Sequence, residues 1–168
     1  MTLKNDLVTA IKKAASAIRE KHPDDELHGF ALCTDDGLMT LYLVSCTKTW
    51  FAERADKYES VGYISVEWSD STGDDYLDEI SKQMAKLANS DKSQEARDRR
   101  FTMLVAALQE CRNENLFNED TLLCCGSTDP SPHMEMLAMH AVDKLNTKFN
   151  ADQFAKHLGY EQYRDNGG

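Results

Sequence analysis

No apolar run in this chain approaches the ~20 residues that a helix needs to span a bilayer. The opening residues, Met1-Thr2-Leu3-Lys4-Asn5-Asp6, lack the apolar core and small-residue cleavage site of an export signal. The expected location is therefore the cytoplasm. A Gly-rich phosphate loop and a dinucleotide fingerprint are missing, and so are His-Glu-x-x-His and Gly-x-Ser-x-Gly. Internal repeats and low-complexity tracts are missing as well. What is present suits one packed domain: 168 residues, 41% of them hydrophobic. At that length folding removes roughly 70% of the unfolded chain's surface from water, enough for a core without staples.

The cysteines are few and unmatched. Cys33, Cys46, Cys111, Cys124 and Cys125 make an odd number without an export signal, which predicts reduced thiols rather than disulfides. Cys33, Cys124 and Cys125 lie in strand-like apolar runs, where a thiol behaves as a small hydrophobe. Cys124 and Cys125 are adjacent, so in a strand they point to opposite faces and do not form a zinc pair. His133 and His140 could share a helix face but stand two turns apart, too distant to hold one ion without a third element. No metal and no cofactor are expected. A cysteine nucleophile, Cys33 or Cys46 beside His28, stays open because such pairs assemble in space, although an apolar setting would leave the thiol inert.

Periodicity predicts a helix over Leu3–Glu20, capped by Thr2 and closed by Pro23. A hairpin follows, Leu27–Thr34 and Leu38–Val44 around Asp35-Asp36-Gly37. Thr47–Tyr58 has a helical pattern with Trp50, Phe51 and Ala55 inward, and Val61–Trp68 resembles a third strand or an extended segment. Two long helices come next. The first runs from Asp74 to about Ala88, burying Leu77, Ile80, Met84 and Leu87; the second spans Gln94–Asn113. Thr121–Gly126 is a short buried strand candidate, and Asp129–Pro132 is a loop. A helix from Met134 to Leu145 and a short last one, capped by Asn150 and ended by Gly159, complete residues 1–160; the tail from Glu161 is polar. Strands cluster early and helices late, so the expected class is α+β, a small mostly antiparallel sheet packed by helices in one domain.

Charge carries the functional signal. A net charge of −10 disfavours nucleic acid and anionic membranes as partners and favours a basic protein, although solubility alone would account for it. Between Glu59 and Glu79 stand Glu67, Asp70, Asp74, Asp75 and Asp78, with no Lys or Arg. Asp74 and Asp75 begin a helix, where each carboxylate contributes ~0.3–1 kcal/mol against the dipole. Capping leaves Glu67 and Asp70 unexplained. With Tyr63, Trp68 and Tyr76 taken as exposed aromatics, the run predicts a protein-binding face, in which charge steers encounter and aromatics anchor. The expected contacts are Glu67, Trp68, Asp70, Asp74, Asp75 and Asp78, then Asp35 and Asp36 in the hairpin turn.

The stretch Phe30-Ala31-Leu32-Cys33-Thr34-Asp35-Asp36-Gly37-Leu38-Met39-Thr40-Leu41-Tyr42 resembles the signature hairpin of a bacterial domain-of-unknown-function family, number forty-three-oh-three. Ile64-Ser65-Val66-Glu67-Trp68 is similar to its Glu-Trp block, with Ile64 where the family has Trp and Val66 in its Pro-Ala stretch. Leu145-Asn146 is similar to the Leu-Asn near its end. Leu43-Val44-Ser45-Cys46 departs from the family's Pro-Ala-Ala-Asn. The resemblance implies a role like that of SUKH-type immunity proteins: inhibition of a cognate toxin delivered by a contact-dependent or type VI secretion system. It supplies no catalytic residues. A regulatory or adaptor module unrelated to toxins, and an enzyme with an unfamiliar site around Cys46 or His28, are the competing expectations.

Overall fold

The computed structural model describes residues 2–55, 63 and 65–159. Helix α1 (Leu3–Lys21) starts where the Thr2 hydroxyl accepts from the Asn5 amide, and His22 caps its end just before Pro23. Strand β1 (Leu27–Thr34) pairs antiparallel with β2 (Tyr42–Thr47) and parallel with β3 (Leu122–Ser127), giving the order β2-β1-β3. The other helices are α2 (Lys48–Ala55), α3 (Asp78–Ser90), α4 (Gln94–Asn113), α5 (Pro132–Leu145) and α6 (Lys148–Leu158). A 3₁₀ turn at Asp74–Leu77 leads into α3, and another covers Ser65–Glu67. This is an α+β domain with helices on both faces of a small sheet.

Side-chain alternation sorts the strands between two apolar layers. Phe30, Leu32, Leu43, Leu123 and Cys125 pack against α1, α3 and α4. Ala31, Cys33, Val44, Cys46, Leu122 and Cys124 face Trp68, α5 and α6. Cys124 and Cys125 thus fall on opposite sides, as strand geometry requires.

Several expectations are corrected. Leu38–Leu41 is loop rather than strand. The Asp35 carboxylate accepts from the Met39 and Thr40 amides, both at 3.0 Å, and holds the chain in a broad turn. Leu38 there takes φ 51° while fully buried, so its side chain fills the core from a left-handed backbone. The third strand is β3, because Ser65–Glu67 coils into a 3₁₀ turn. Residues 56–58, 61, 62 and 64 of the predicted helix and strand, Glu59, and the tail 161–168 lie outside the described residues. Leu87 sits 45% exposed, off the stripe that buries Ile80, Met84 and Ala88. The cap of α6 is the Thr147 hydroxyl, while the Asn150 amide reaches the Glu119 and Asp120 carbonyls. Gly159 ends that helix in the left-handed region.

Both sheet edges are covered, β2 by side chains and a short backbone bridge and β3 by a side chain, a standard means of blunting unpaired strands. Along β2 and its approach, the amides of Leu41, Leu43 and Ser45 donate to the Ser81 hydroxyl, the Asp74 carboxylate and the Asp70 carbonyl, at 2.9, 2.7 and 2.7 Å. Along β3, the side-chain amide of Asn146 both accepts from and donates to the Leu123 backbone, each at 2.8 Å.

Candidate functional site

The acidic run divides into internal and outward carboxylates. Asp70 is internal. Its backbone bridges Ser45, and its carboxylate accepts from Lys21 at 2.9 Å and from Thr72, with His22 at 2.6 Å. Burial pushes its pKa up, but Thr72, Lys21 and His22 outweigh that and hold the carboxyl below the usual carboxylate range. The run carries no cation of its own, yet α1 delivers two basic groups to it. Asp74 is half-buried through its bond to the Leu43 amide. Its pKa is raised, first by burial and then by repulsion from Asp78 and Asp75.

Three more predicted contacts are structural. Trp68 is 2% exposed and packs over Gly29, which corrects the expectation of an exposed anchor. An apolar ring this large is worth more beneath the sheet than at the surface. Asp35 holds the hairpin loop, and Asp36 accepts from the Ser131 amide and hydroxyl and pairs with Arg97 at 3.3 Å. These two acids are spent on internal order.

What faces outward is Glu67, Asp75, Tyr76 and Asp78, with Glu79 paired to Lys82 at 2.6 Å. Asp75 and Asp78 have no hydrogen-bond or ion-pair partner among the described residues. Tyr76, 42% exposed, is one of four large apolar side chains on the described surface. Gly73 fixes this segment against α1. Its φ is +85°, and a Cβ there would stand 2.7 Å from the Ala14 Cα, so only glycine allows the approach. Sequence reading found Asp75, Tyr76 and Asp78 through the charge run. It missed Asp6, Thr9 and Lys13 of α1, which the tertiary packing sets beside Tyr76 in a shallow groove of about 260 Å³.

The cysteine–histidine alternative meets unfavourable electrostatics. Burial pushes the Cys33 thiol up to about 11 and the Cys46 thiol higher still, so both stay protonated near neutrality. His28 stacks on Phe51 with ring centroids 3.7 Å apart, and its buried Nε2 has no hydrogen-bond partner. No cluster of three or more His, Cys, Asp or Glu that could hold a metal occurs among the described residues. No described helix is long and apolar enough to cross a membrane.

His28 makes a pH prediction. Burial, then the Lys48 charge, lowers its pKa from 6.5 to about 4. Between those values the unfolded chain binds more protons than the folded one, so stability falls as pH drops through this window. The expected loss is about 2–3 kcal/mol between pH 6.5 and 4. Urea titrations at several pH values check it: His28→Leu should flatten the slope in that window, and an unchanged slope would assign it to other groups.

Comparison with known families finds that the model for Domain of unknown function (DUF4303) matches residues 7–147, from the first turns of α1 to just past α5. Comparison with curated proteins and with solved structures finds no match.

Proposed function

The chain belongs to the DUF4303 family, and from that premise we propose that it is an immunity protein that binds and neutralises a toxin acting in the bacterial cytoplasm. The carrying observation is Tyr76, 42% exposed on a segment where Asp75 and Asp78 are exposed too and make no hydrogen bond or ion pair among the described residues. The first turn of a helix accommodates such carboxylates without any partner, each contributing ~0.3–1 kcal/mol. Helix energetics do not account for an aromatic ring 42% exposed on a segment that Gly73 pins in place. A rigid aromatic flanked by charge suits a protein partner, since little ordering entropy is lost on docking.

The partner is a protein with a basic surface. Nuclease toxins suit this reading best, because enzymes that hold nucleic acid carry basic clefts an acidic inhibitor can cover. Delivery of the toxin by a contact-dependent or type VI secretion system belongs to the same reading. Glu67 extends the outward charge, whereas Asp35, Asp36, Asp70 and Trp68 hold the fold and are not proposed as contacts.

Co-expression with the products of the flanking genes, tested first for toxicity on their own, is the test. The chain should restore growth and co-purify with the toxin, and failure of both would reject an immunity role. With a purified pair, Asp75→Lys combined with Asp78→Lys should slow association about tenfold at low ionic strength and flatten its salt dependence. Unchanged association kinetics would clear this segment of any steering role.

A further inference from the structure

The groove between α1 and α3 gives the partner a more definite chemistry. Ala10 and Ile80 contribute apolar surface to it, Tyr76 forms one wall, and Asp6 and Glu79 contribute carboxylates. One cation already approaches the ring: the Lys13 ammonium lies 5.9 Å from the Tyr76 centroid, at the outer edge of a cation–π contact. A basic group is therefore sterically and electrostatically at home on this ring. The arrangement is also easily opened. Lys13 makes no ion pair among the described residues, and Glu79 pairs with Lys82 and feels the Lys86 charge, exposed contacts of the kind worth little in water.

We propose that this groove receives an arginine side chain of the protein partner, stacked on Tyr76 in the place now held by Lys13. The inference rests on the reading of the chain as a protein-binding inhibitor. Arginine fits better than lysine for two reasons. Its planar guanidinium stacks on an aromatic face while keeping in-plane donors for a carboxylate, and it sheds water more readily than an ammonium. Asp6 and Glu79, which line the same groove, are the carboxylates proposed to accept from such a group, and Asp75 and Asp78 add to the local negative charge. Lys13 acts as an internal placeholder that an incoming arginine displaces.

The other acidic loop makes a useful control. In Asp24-Asp25-Glu26, Asp25 accepts from the Thr49 amide and Glu26 pairs with Lys48, so those acids carry similar charge but no exposed ring.

The test is an NMR titration of the full chain with an arginine tetrapeptide, and with a lysine tetrapeptide, at low ionic strength. The arginine peptide should bind more tightly and shift the amides of residues 6–13 and 76–83. Tyr76→Ala should weaken it about tenfold, and Lys13→Gln should tighten it several-fold. Tyr76→Leu keeps the apolar contact and removes the ring, so it should behave like Tyr76→Ala. Shifts centred on residues 24–26, or equal affinity in parent and Tyr76→Leu, would overturn the assignment. The two readings fail separately. Growth rescue by both the parent and Tyr76→Ala would keep the immunity role and reject the groove. Groove binding without any rescue would reject the immunity role and keep the groove.

Discussion

Asn146→Ala is expected to destabilise the domain by about 2–5 kcal/mol, because it orphans a buried backbone donor and a buried acceptor at once. Strand β3 ends the sheet, and Leu123 on it is fully buried. Asn146 stands where a fourth strand would. Its Oδ1 accepts from the Leu123 amide, and its Nδ2 donates to the Leu123 carbonyl at 2.8 Å and to the Val142 carbonyl at 2.9 Å. Two carbonyls on one side and an amide on the other leave a single sensible orientation for the side chain. Asn146→Asp separates shape from hydrogen bonding. It keeps the volume and the acceptor but turns an oxygen toward both carbonyls, a loss that the Arg112 guanidinium, 3.4 Å from Oδ1, offsets only in part, so it should still be less stable than the parent. Urea denaturation with an unchanged m-value measures both. An alanine variant as stable as the parent would show that the clasp on β3 contributes nothing.

Trp68→Ala should cost about 3–5 kcal/mol, the range for removing a large buried aromatic. The ring lies against the sheet face that also carries Ala31, Cys33, Val44, Cys46 and Cys124. Gly29 makes room for it, since a Cβ at that position would come within 2.3 Å of the indole. Gly29→Ala should therefore cost about 1–3 kcal/mol by overpacking, much of it recovered when Trp68 is shortened to Leu. A double-mutant cycle checks the pair. Additive losses would mean that the strand tolerates the methyl elsewhere and that the indole is not its obstacle.

These two sites bear on how the family resemblance should be read. The hairpin block supplies β1 and the Asp35-held loop, Glu67-Trp68 supplies a core ring, and Leu145-Asn146 supplies the edge clasp. Every one of those blocks has a structural duty. Within this chain the family-like residues mark the fold, and the surface proposed to meet a partner lies between them, where the segment before α3 meets α1.

Sequence alone determined the helices with clear 3.6-residue stripes and the antiparallel pairing of β1 with β2. It also placed a buried strand near residue 123 and the two cysteines on opposite faces. Each of these depends on local periodicity or on a turn, and such information lies within a few residues of its effect. It also located the negative charge. Tertiary structure decided how that charge is used. Lys21 and His22 reach Asp70 from 48 or more positions away in the chain, and the Leu43 amide claims Asp74 across the sheet edge. The outward or inward direction of Trp68 could not be read locally either, because the glycine that makes room for it lies on another element. A one-dimensional charge run shows where carboxylates are concentrated. Only the folded chain shows which are neutralised from afar and which, next to Tyr76, face outward without a hydrogen bond or ion pair among the described residues.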